Sequence, residues 1–236
     1  MFLGAVPPSF DPKTNVESKD VLYSLESNLS AWLFIPEDMT NPGEKLPLLV
    51  YFHGGAFCVD TAFSPTYYQE RFTVEAKLIA ISVDYRRAPE HPVPVAYDDS
   101  WTALKWIATH SDGNGPEVWL NQHVDFHKIF LPGDSAGANI ALRMGMKIGQ
   151  EKWEAISITG IVLVHPFFWG RNHVGAETND LAVRRKLRGL WRLLCPTTNG
   201  YNDPWIDPGN DPNLENLRCT RLLVFVAEKD LLRHGG

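Results

Sequence analysis

A single stretch, residues 128–139, restricts the possible folds of this chain more than any other. An apolar run ends abruptly in the sequence Gly-Asp-Ser-Ala-Gly at 133–137, and a helix-compatible segment follows at 139–147. A strand, a sharp turn and a helix, with a serine at the apex of G-x-S-x-G, make up the nucleophile-elbow pattern. Glycines flank the serine because such a turn is strained and its backbones approach closely. The pattern predicts that Ser135 lies at a helix N-terminus, where N–H groups favour developing negative charge.

The same five residues also allow a simpler interpretation. Glycine, serine and alanine are common, so a G-x-S-x-G match needs its structural context before it indicates chemistry. The alternative is an ordinary glycine-rich turn in which Ser135 caps the following helix. Features elsewhere in the sequence are needed to choose between the two interpretations.

Apolar runs and helix-like segments alternate along the chain. Residues 16–23 and 29–35 are strand-like, and the polar turn between them predicts an antiparallel hairpin. Further predicted strands are 46–52, 78–84, the run before the elbow, 158–165 and 222–227, and predicted helices are 66–75, 97–109, 139–147 and 181–194. This alternation predicts an α/β fold with a doubly wound, mostly parallel sheet. Length alone would also allow two small domains, but we expect one domain over 1–236 with a cap-like insertion at about 166–221.

Composition excludes several classes of function. The chain has 236 residues, 44% of them hydrophobic, and its net charge of −6 argues against non-specific binding to nucleic acid or anionic membrane. Its three cysteines form no disulfide framework or C-x-x-C metal pattern, which favours a reducing compartment. The first residues lack a basic signal-peptide region, and no apolar run is long enough for a membrane span. We therefore expect a cytoplasmic protein.

A second glycine motif follows the predicted strand 46–52. His53 is followed by Gly54 and Gly55, and paired glycines let a backbone approach a substrate oxygen and turn its N–H groups toward it. Together with the N–H of Ala136, directly after Ser135, they predict an oxyanion hole in which each donor is worth about 3–4 kcal/mol. The alternative is a plain Gly-Gly turn. We expect His53 to shape the loop rather than to act as a base.

Two carboxylates follow the last predicted strand. Glu228 and Asp230 lie where the acid of a catalytic triad belongs, at the carboxyl end of a strand after the elbow. We assign Asp230 as the acid and keep Glu228 as the alternative. A surface carboxylate in a turn is the simpler interpretation of either residue.

No histidine of the chain fits the general base. The expected order along the chain is serine, acid and histidine, and only His234 follows Asp230, four residues later. The expected histidine lies beyond a further helix and strand, which the sequence to Gly236 does not contain, so we do not assign His234 as the base. The other histidines are expected in loops or in packing, without H-x-x-x-H metal spacing: His91, His110, His123, His127, His165 and His173.

Six stretches together resemble one known family. They are 51–58 (YFHGGAFC), 83–92 (VDYRRAPEHP), 97–101 (YDDSW), 133–139 (GDSAGAN), 165–170 (HPFFWG) and 226–233 (VAEKDLLR). The chain resembles a plant carboxylesterase of the hormone-sensitive-lipase-like branch of the α/β-hydrolases, and the resemblance covers nearly its whole length. It implies an α/β-hydrolase fold.

The resemblance also implies roles for individual residues. It implies Ser135 as the nucleophile and Asp230 as the triad acid, with an oxyanion hole at Gly54, Gly55 and Ala136. The implied substrates are small-molecule, short-chain acyl esters, and the implied chemistry needs no metal and no cofactor. The segment 167–201 would help to line the acyl or alcohol pocket.

The chain departs from the family pattern in three places. Ala56 replaces the third glycine of the usual H-G-G-G, a position that need not donate in this family. The N-terminal helical lid is missing from the sequence, and so are the last helix, the last strand and the histidine loop. Loss of one triad member leaves about 10³–10⁴-fold acceleration over water, and loss of a strand exposes an apolar edge. We therefore expect a truncated, poorly stable and nearly inactive form of an esterase.

Two other functions share this scaffold. A lyase resembling 2-hydroxyisoflavanone dehydratase is not separated from an esterase by any residue of this sequence. A binding protein resembling the gibberellin receptor would account for a missing triad histidine. Such a receptor closes its N-terminal lid over the hormone, however, and the absence of that segment fits this function badly.

Overall fold

The computed structural model describes residues 9–36, 43–64, 69–170, 181–200 and 203–233, and for 181–183 it describes the backbone alone. The predictions about His173 and His234 lie outside the described residues. So does the start, 66–68, of the helix predicted at 66–75.

Strands and helices alternate along the described chain, as the apolar pattern predicts. The strands are β1 (Phe10–Asp11), β2 (Val16–Ser24), β3 (Leu29–Pro36), β4 (Leu46–Phe52), β5 (Ile79–Val83), β6 (Val124–Asp134), β7 (Ile158–Val164) and β8 (Arg221–Phe225). The helices are α1 (Gln69–Glu75), α2 (Val95–Ala108), α3 (Val118–His123), α4 (Ala136–Gln150) and α5 (Leu181–Leu194), with 3₁₀ turns at Pro208–Asn210 and Leu214–Asn216.

Within the described residues the strands form one sheet in the order β1-β2-β3-β5-β4-β6-β7-β8. The pairs β1–β2, β2–β3 and β3–β5 are antiparallel, and every pair from β5 to β8 is parallel. Strand β5 is buried along its whole length, as expected for a central strand covered on both faces. The predicted α/β class and the mostly parallel sheet are confirmed.

The register of the parallel strands brings four loops to one edge of the sheet. Phe52 of β4 pairs with Gly133 of β6, and Asp134 at the end of β6 pairs with Val164 of β7. Val164 in turn pairs with Phe225 of β8. The carboxyl ends of β4, β6, β7 and β8 therefore lie together, and in open α/β sheets this edge is where ligands bind.

Helix α4 packs directly on β6 and β7. Most of its side chains are buried, and an added Cβ at Gly145 would lie 2.4 Å from Cδ1 of Ile161 on β7. This glycine allows the helix to approach the sheet closely, because any larger side chain would meet the strand. The close packing fixes the N-terminus of α4 relative to the sheet edge.

The structure adds short elements that the sequence pattern does not show. Residues 10–11 form the two-residue strand β1, and β6 begins at Val124, four residues before the apolar run that predicted it. Helix α3 has six residues and begins after Glu117, whose side chain accepts a hydrogen bond from the N–H of Trp119 at 2.9 Å. Such elements are too short for hydrophobic periodicity to reveal. None of the described helices is long and apolar enough to cross a lipid bilayer.

Candidate active site

Ser135 lies at a strained turn between β6 and α4. Its φ of 50° and ψ of −114° are unusual for a residue with a side chain. Its N–H donates to the carbonyl of Val164 at 2.8 Å, which ties the turn to the neighbouring strand. The Ser135 side chain makes no capping hydrogen bond to α4. Ser135 is therefore the N-cap residue of α4, but its side chain does not cap the helix as the alternative interpretation requires.

Two glycines make this turn possible. A Cβ at Gly137 would lie 1.9 Å from the carbonyl oxygen of Phe52, and one at Gly133 would lie 2.2 Å from that of Gly137. Both contacts are with backbone atoms, which cannot swing aside as the end of a side chain can. The first and last glycines of the motif are thus required by close approach, which brings the elbow against the end of β4.

The loop after β4 is also strained, and it is well anchored. Gly55, Ala56 and Phe57 have φ values of 94°, 51° and 58°, a run that is costly for residues with a side chain. The carbonyl of Gly55 accepts from the N–H groups of Cys58 and Val59, at 3.0 and 2.9 Å. The side chain of Phe57 is buried in the core. These contacts hold a conformation that the loop would not adopt by itself.

The structure gives the three predicted oxyanion donors different surroundings. The N–H of Gly54 donates to the carboxylate of Asp134, whereas those of Gly55 and Ala136 have no hydrogen-bond acceptor within the described chain. The N–H of Ala56 is equally without an acceptor there. At the carboxyl ends of β4 and β6, the N–H groups of Gly55, Ala56 and Ala136 are therefore available to bind an oxyanion. The N–H of Gly54 is already bound to Asp134.

His53 lies beneath the loop as a buried, neutral ring. Its Nδ1 lies 2.8 Å from the carbonyl oxygen of Gly54, so Nδ1 is the donor, and its ring stacks on that of Tyr85 with centroids 4.1 Å apart. Burial lowers the pKa of His53 to about 4, although the nearby carboxylate of Asp84 opposes this shift. A ring held in this way supports the loop, the role expected from the sequence.

Asp230 follows β8 in a turn that faces the end of β7. Its Oδ1 accepts from the N–H of Leu232 at 2.7 Å, and its Oδ2 lies 3.8 Å from Nδ1 of His165. That same Nδ1 accepts from the N–H of Ala227 at 3.1 Å, so the proton of neutral His165 is on Nε2. His165 thus contacts both ends of the turn that carries the predicted acid, a contact that sequence reasoning did not foresee.

An aromatic cluster lies behind the glycine loop. The ring of Phe57 lies 6.1 Å from that of Phe167 and 6.3 Å from that of Trp191, and Trp169 lies 5.1 Å from Phe167. Phe167 and Trp191 belong to the segment 167–201 that was expected to line a pocket. Residues 171–180 and 201 of that segment lie outside the described residues.

No described histidine is positioned as a partner of the serine. The Ser135 side chain has no hydrogen-bond partner within the described ranges. His110, for example, accepts the N–H of Glu117 on Nε2 at 2.9 Å and has a structural role. The described residues also contain no group of three or more His, Cys, Asp or Glu side chains arranged to hold a metal ion.

The chain was compared with known protein families, and one family matches most of its length. The model of a family described as having the alpha/beta hydrolase fold matches residues 49–236. The chain belongs to this family of α/β hydrolases, and the α/β-hydrolase fold expected from the sequence is confirmed.

Several individual relatives are named as probable carboxylesterases or as esterases. The chain is 49% identical to Probable carboxylesterase 13 of Arabidopsis thaliana, over 98% of its own length and 75% of the relative's. It is 41% identical to 2-hydroxyisoflavanone dehydratase of Glycine max, over 94% and 72% of the two chains. Among solved structures, a hyperthermophilic esterase from the archaeon Pyrobaculum calidifontis is 29% identical with a TM-score of 0.69, over 92% and 66% of the two chains. Carboxylic ester hydrolysis is the activity that these relatives support.

Proposed function

We propose that this protein hydrolyses carboxylic esters with Ser135 as the nucleophile. The observation that carries the proposal is the arrangement at the ends of β4 and β6. A strained serine lies at a helix N-terminus, and three N–H groups beside it, those of Gly55, Ala56 and Ala136, have no acceptor within the described chain. Donors placed in advance where an oxyanion develops are the largest single contribution to acyl-transfer catalysis.

The proposed reaction has two steps. Ser135 Oγ attacks the carbonyl carbon of the ester, and the N–H groups of Gly55, Ala56 and Ala136 stabilise the resulting oxyanion. The alcohol leaves, and water then attacks the acyl-enzyme to release the acid and restore the serine. The serine proton passes to a general base, which Asp230 would orient. Among the described residues, no histidine contacts the Ser135 side chain.

The proposed substrates are short-chain acyl esters. The aromatic cluster of Phe57, Phe167 and Trp191 would form an apolar wall behind the oxyanion donors. Arabidopsis and Glycine relatives support a plant origin, and three free cysteines, Cys58, Cys195 and Cys219, fit a reducing compartment such as the cytoplasm.

Hydrolysis of p-nitrophenyl acetate tests this proposal. We expect release of p-nitrophenolate by the folded chain and a much lower rate for Ser135→Ala. Conversion of Ser157 to alanine, a serine before β7 and away from the sheet edge, serves as the matched control and should leave the rate unchanged. Equal rates for Ser135→Ala and the unchanged chain would refute the proposal.

A lyase is the second candidate. The 41% identity to 2-hydroxyisoflavanone dehydratase favours it, because the same donors could bind the carbonyl oxygen of such a substrate. Incubation with a 2-hydroxyisoflavanone separates the two functions. Loss of water from this compound without hydrolysis of acetate esters would support the lyase over the esterase.

A further inference from the structure

The carboxylate of Asp134, the residue before the nucleophile, joins two parts of the site that are distant in sequence. The hydroxyl of Tyr51, on β4, donates to Asp134 Oδ1 at 2.6 Å. The N–H of Gly54, in the glycine loop, donates to the same carboxylate. An added Cβ at Gly54 would lie only 2.2 Å from Asp134 Oδ2, so this contact requires a glycine there.

The other side of the Gly54 residue is held as well. Its carbonyl accepts from Nδ1 of His53 at 2.8 Å and from the hydroxyl of Tyr85 at 3.2 Å. The single hydrogen of the Tyr85 hydroxyl is shared with the carbonyl of His53, whose oxygen lies nearer, at 2.7 Å. The N–H and the carbonyl of Gly54 are thus both bound, and the orientation of the next peptide, which carries the N–H of Gly55, follows from them.

We infer that Asp134 is a positioning residue for the oxyanion hole. Its carboxylate holds the Gly54 amide, which keeps the N–H groups of Gly55 and Ala56 aimed at the position that the oxyanion would occupy. Asp134 directly precedes Ser135 in the chain. The Asp134 side chain therefore sets the distance between the nucleophile and the glycine loop. This inference rests on the proposed function, in which Ser135 attacks an ester carbonyl.

The expected size of the effect follows from geometry. Displacement of catalytic groups by about 1 Å can slow a reaction about 100-fold, and loss of one oxyanion donor costs about 10²–10³-fold. Asp134→Ala removes the hydrogen bonds from Tyr51 and Gly54 and should approach this loss. Asp134→Asn keeps the shape and one acceptor oxygen, so its loss should be smaller, about tenfold. Tyr51→Phe removes one hydrogen bond to Asp134 and leaves the hydrogen bond from Gly54 in place. The reaction rate should therefore fall still less.

The test measures how fast an alkyl fluorophosphonate reacts with Ser135. In this reaction the serine Oγ forms a bond to phosphorus, the P–F bond breaks, fluoride leaves, and the serine proton passes to a base or to solvent. The phosphoryl oxygen takes the position of the oxyanion, so the rate reports the donors directly. The limiting rate and the half-saturating concentration are measured separately. If Asp134 has a positioning role, its variants lower the limiting rate and leave the half-saturating concentration nearly unchanged.

The controls separate positioning from folding. Asp125→Asn makes the same chemical change on β6 at a partly exposed carboxylate that pairs with Lys128 at 3.1 Å, and it should react at the unaltered rate. Near-ultraviolet circular dichroism gives the folded fraction, to which each rate is normalised. If Asp134→Ala does not fold, Asp134→Asn and Tyr51→Phe decide the question.

Each outcome is decisive. The graded loss of Asp134→Ala, Asp134→Asn and Tyr51→Phe, with Asp125→Asn unaffected, supports the inference. Folded Asp134 variants that react at the rate of the unaltered chain overturn it and leave the proposed function standing. No reaction at Ser135 in the unaltered chain overturns the proposed function itself, and the inference with it.

Discussion

At the scale of single residues, His53 shows how burial sets a chemical state. Its ring is completely buried, and desolvation lowers its pKa from 6.5 to about 4. The unfolded chain therefore binds a proton on this residue at pH values where the folded chain does not. Stability must rise with pH across this window, because the unfolded state holds more protons there.

This difference predicts an acid-sensitive fold. Lowering the pH from 7.5 to 4 should reduce the free energy of unfolding by about 3 kcal/mol through His53 alone, from its pKa shift. Urea titrations at both pH values measure the change. His53→Gln, which cannot take up a proton, should be less stable at pH 7.5 but should lose correspondingly less on acidification. An equal loss in both proteins would contradict the assignment of this titration to His53.

The sequence predicted the serine and the glycines at this scale, but not the partners of each amide. G-x-S-x-G and H-G-G are local patterns, so a reader of the sequence can locate Ser135 and the loop. The N–H of Gly54 donates to Asp134, whereas the N–H of Ala56 does not. This hydrogen bond joins residues that are 80 positions apart in the chain, so no local pattern reveals it. The aspartate stood inside the motif, yet nothing local showed that its side chain turns toward β4.

At the scale of secondary-structure elements, one glycine in α4 and one in α5 differ in what surrounds them. Gly137, in the first turn of α4, lies against the backbone of Phe52. Gly189, within α5, has no atom within 4 Å of the place a Cβ would occupy. The first glycine is needed for packing, and the second lowers helix stability without a packing contact among the described atoms.

The two glycines therefore predict opposite effects of the same substitution. Gly137→Ala should destabilise the protein by about 3 kcal/mol, since its Cβ meets backbone that cannot yield locally. Gly189→Ala should stabilise it by about 0.5–1 kcal/mol. Thermal and urea unfolding of both variants measures the difference. Similar effects in the two helices would show that the elbow does not approach β4 as described.

Most long elements could be predicted from the sequence because their apolar pattern persists over several turns or a whole strand. Residues 181–194 are helical as predicted, and the hairpin of β2 and β3 is confirmed. Helix α3 was missed, since its six residues are fixed by the Glu117 cap and by packing of Leu120 rather than by a periodic face. His165 was expected only as a loop or packing residue, and its contact with Asp230 arises from the parallel register of β7 and β8.

At the scale of the whole molecule, β8 leaves one edge of the sheet apolar. It is the last strand of the sheet in the described part of the chain, and all five of its residues are exposed. Leu223 and Phe225 are 50% and 51% exposed. An apolar edge strand with unpaired backbone groups is a template for pairing with another chain. The chain spans about three quarters of the length of the curated relatives it matches.

We therefore predict concentration-dependent self-association of this chain through β8. The double variant Leu223→Lys with Phe225→Lys places two charges on one face of this edge and should raise the concentration at which light scattering begins. Leu25→Lys, at an 86% exposed leucine in the β2–β3 turn, is the matched control and should have little effect. If Leu25→Lys improves solubility as much as the β8 variant does, association through β8 is excluded.

Mapping the site of a covalent adduct tests whether Ser135 is a nucleophile activated by this fold. The chain is incubated with an alkyl fluorophosphonate, digested and analysed by peptide mass spectrometry, with a urea-denatured sample and Ser135→Ala in parallel. We predict one adduct, on the peptide that contains Ser135, in the folded chain alone. An adduct on another serine, or equal labelling of folded and denatured chains, would contradict it.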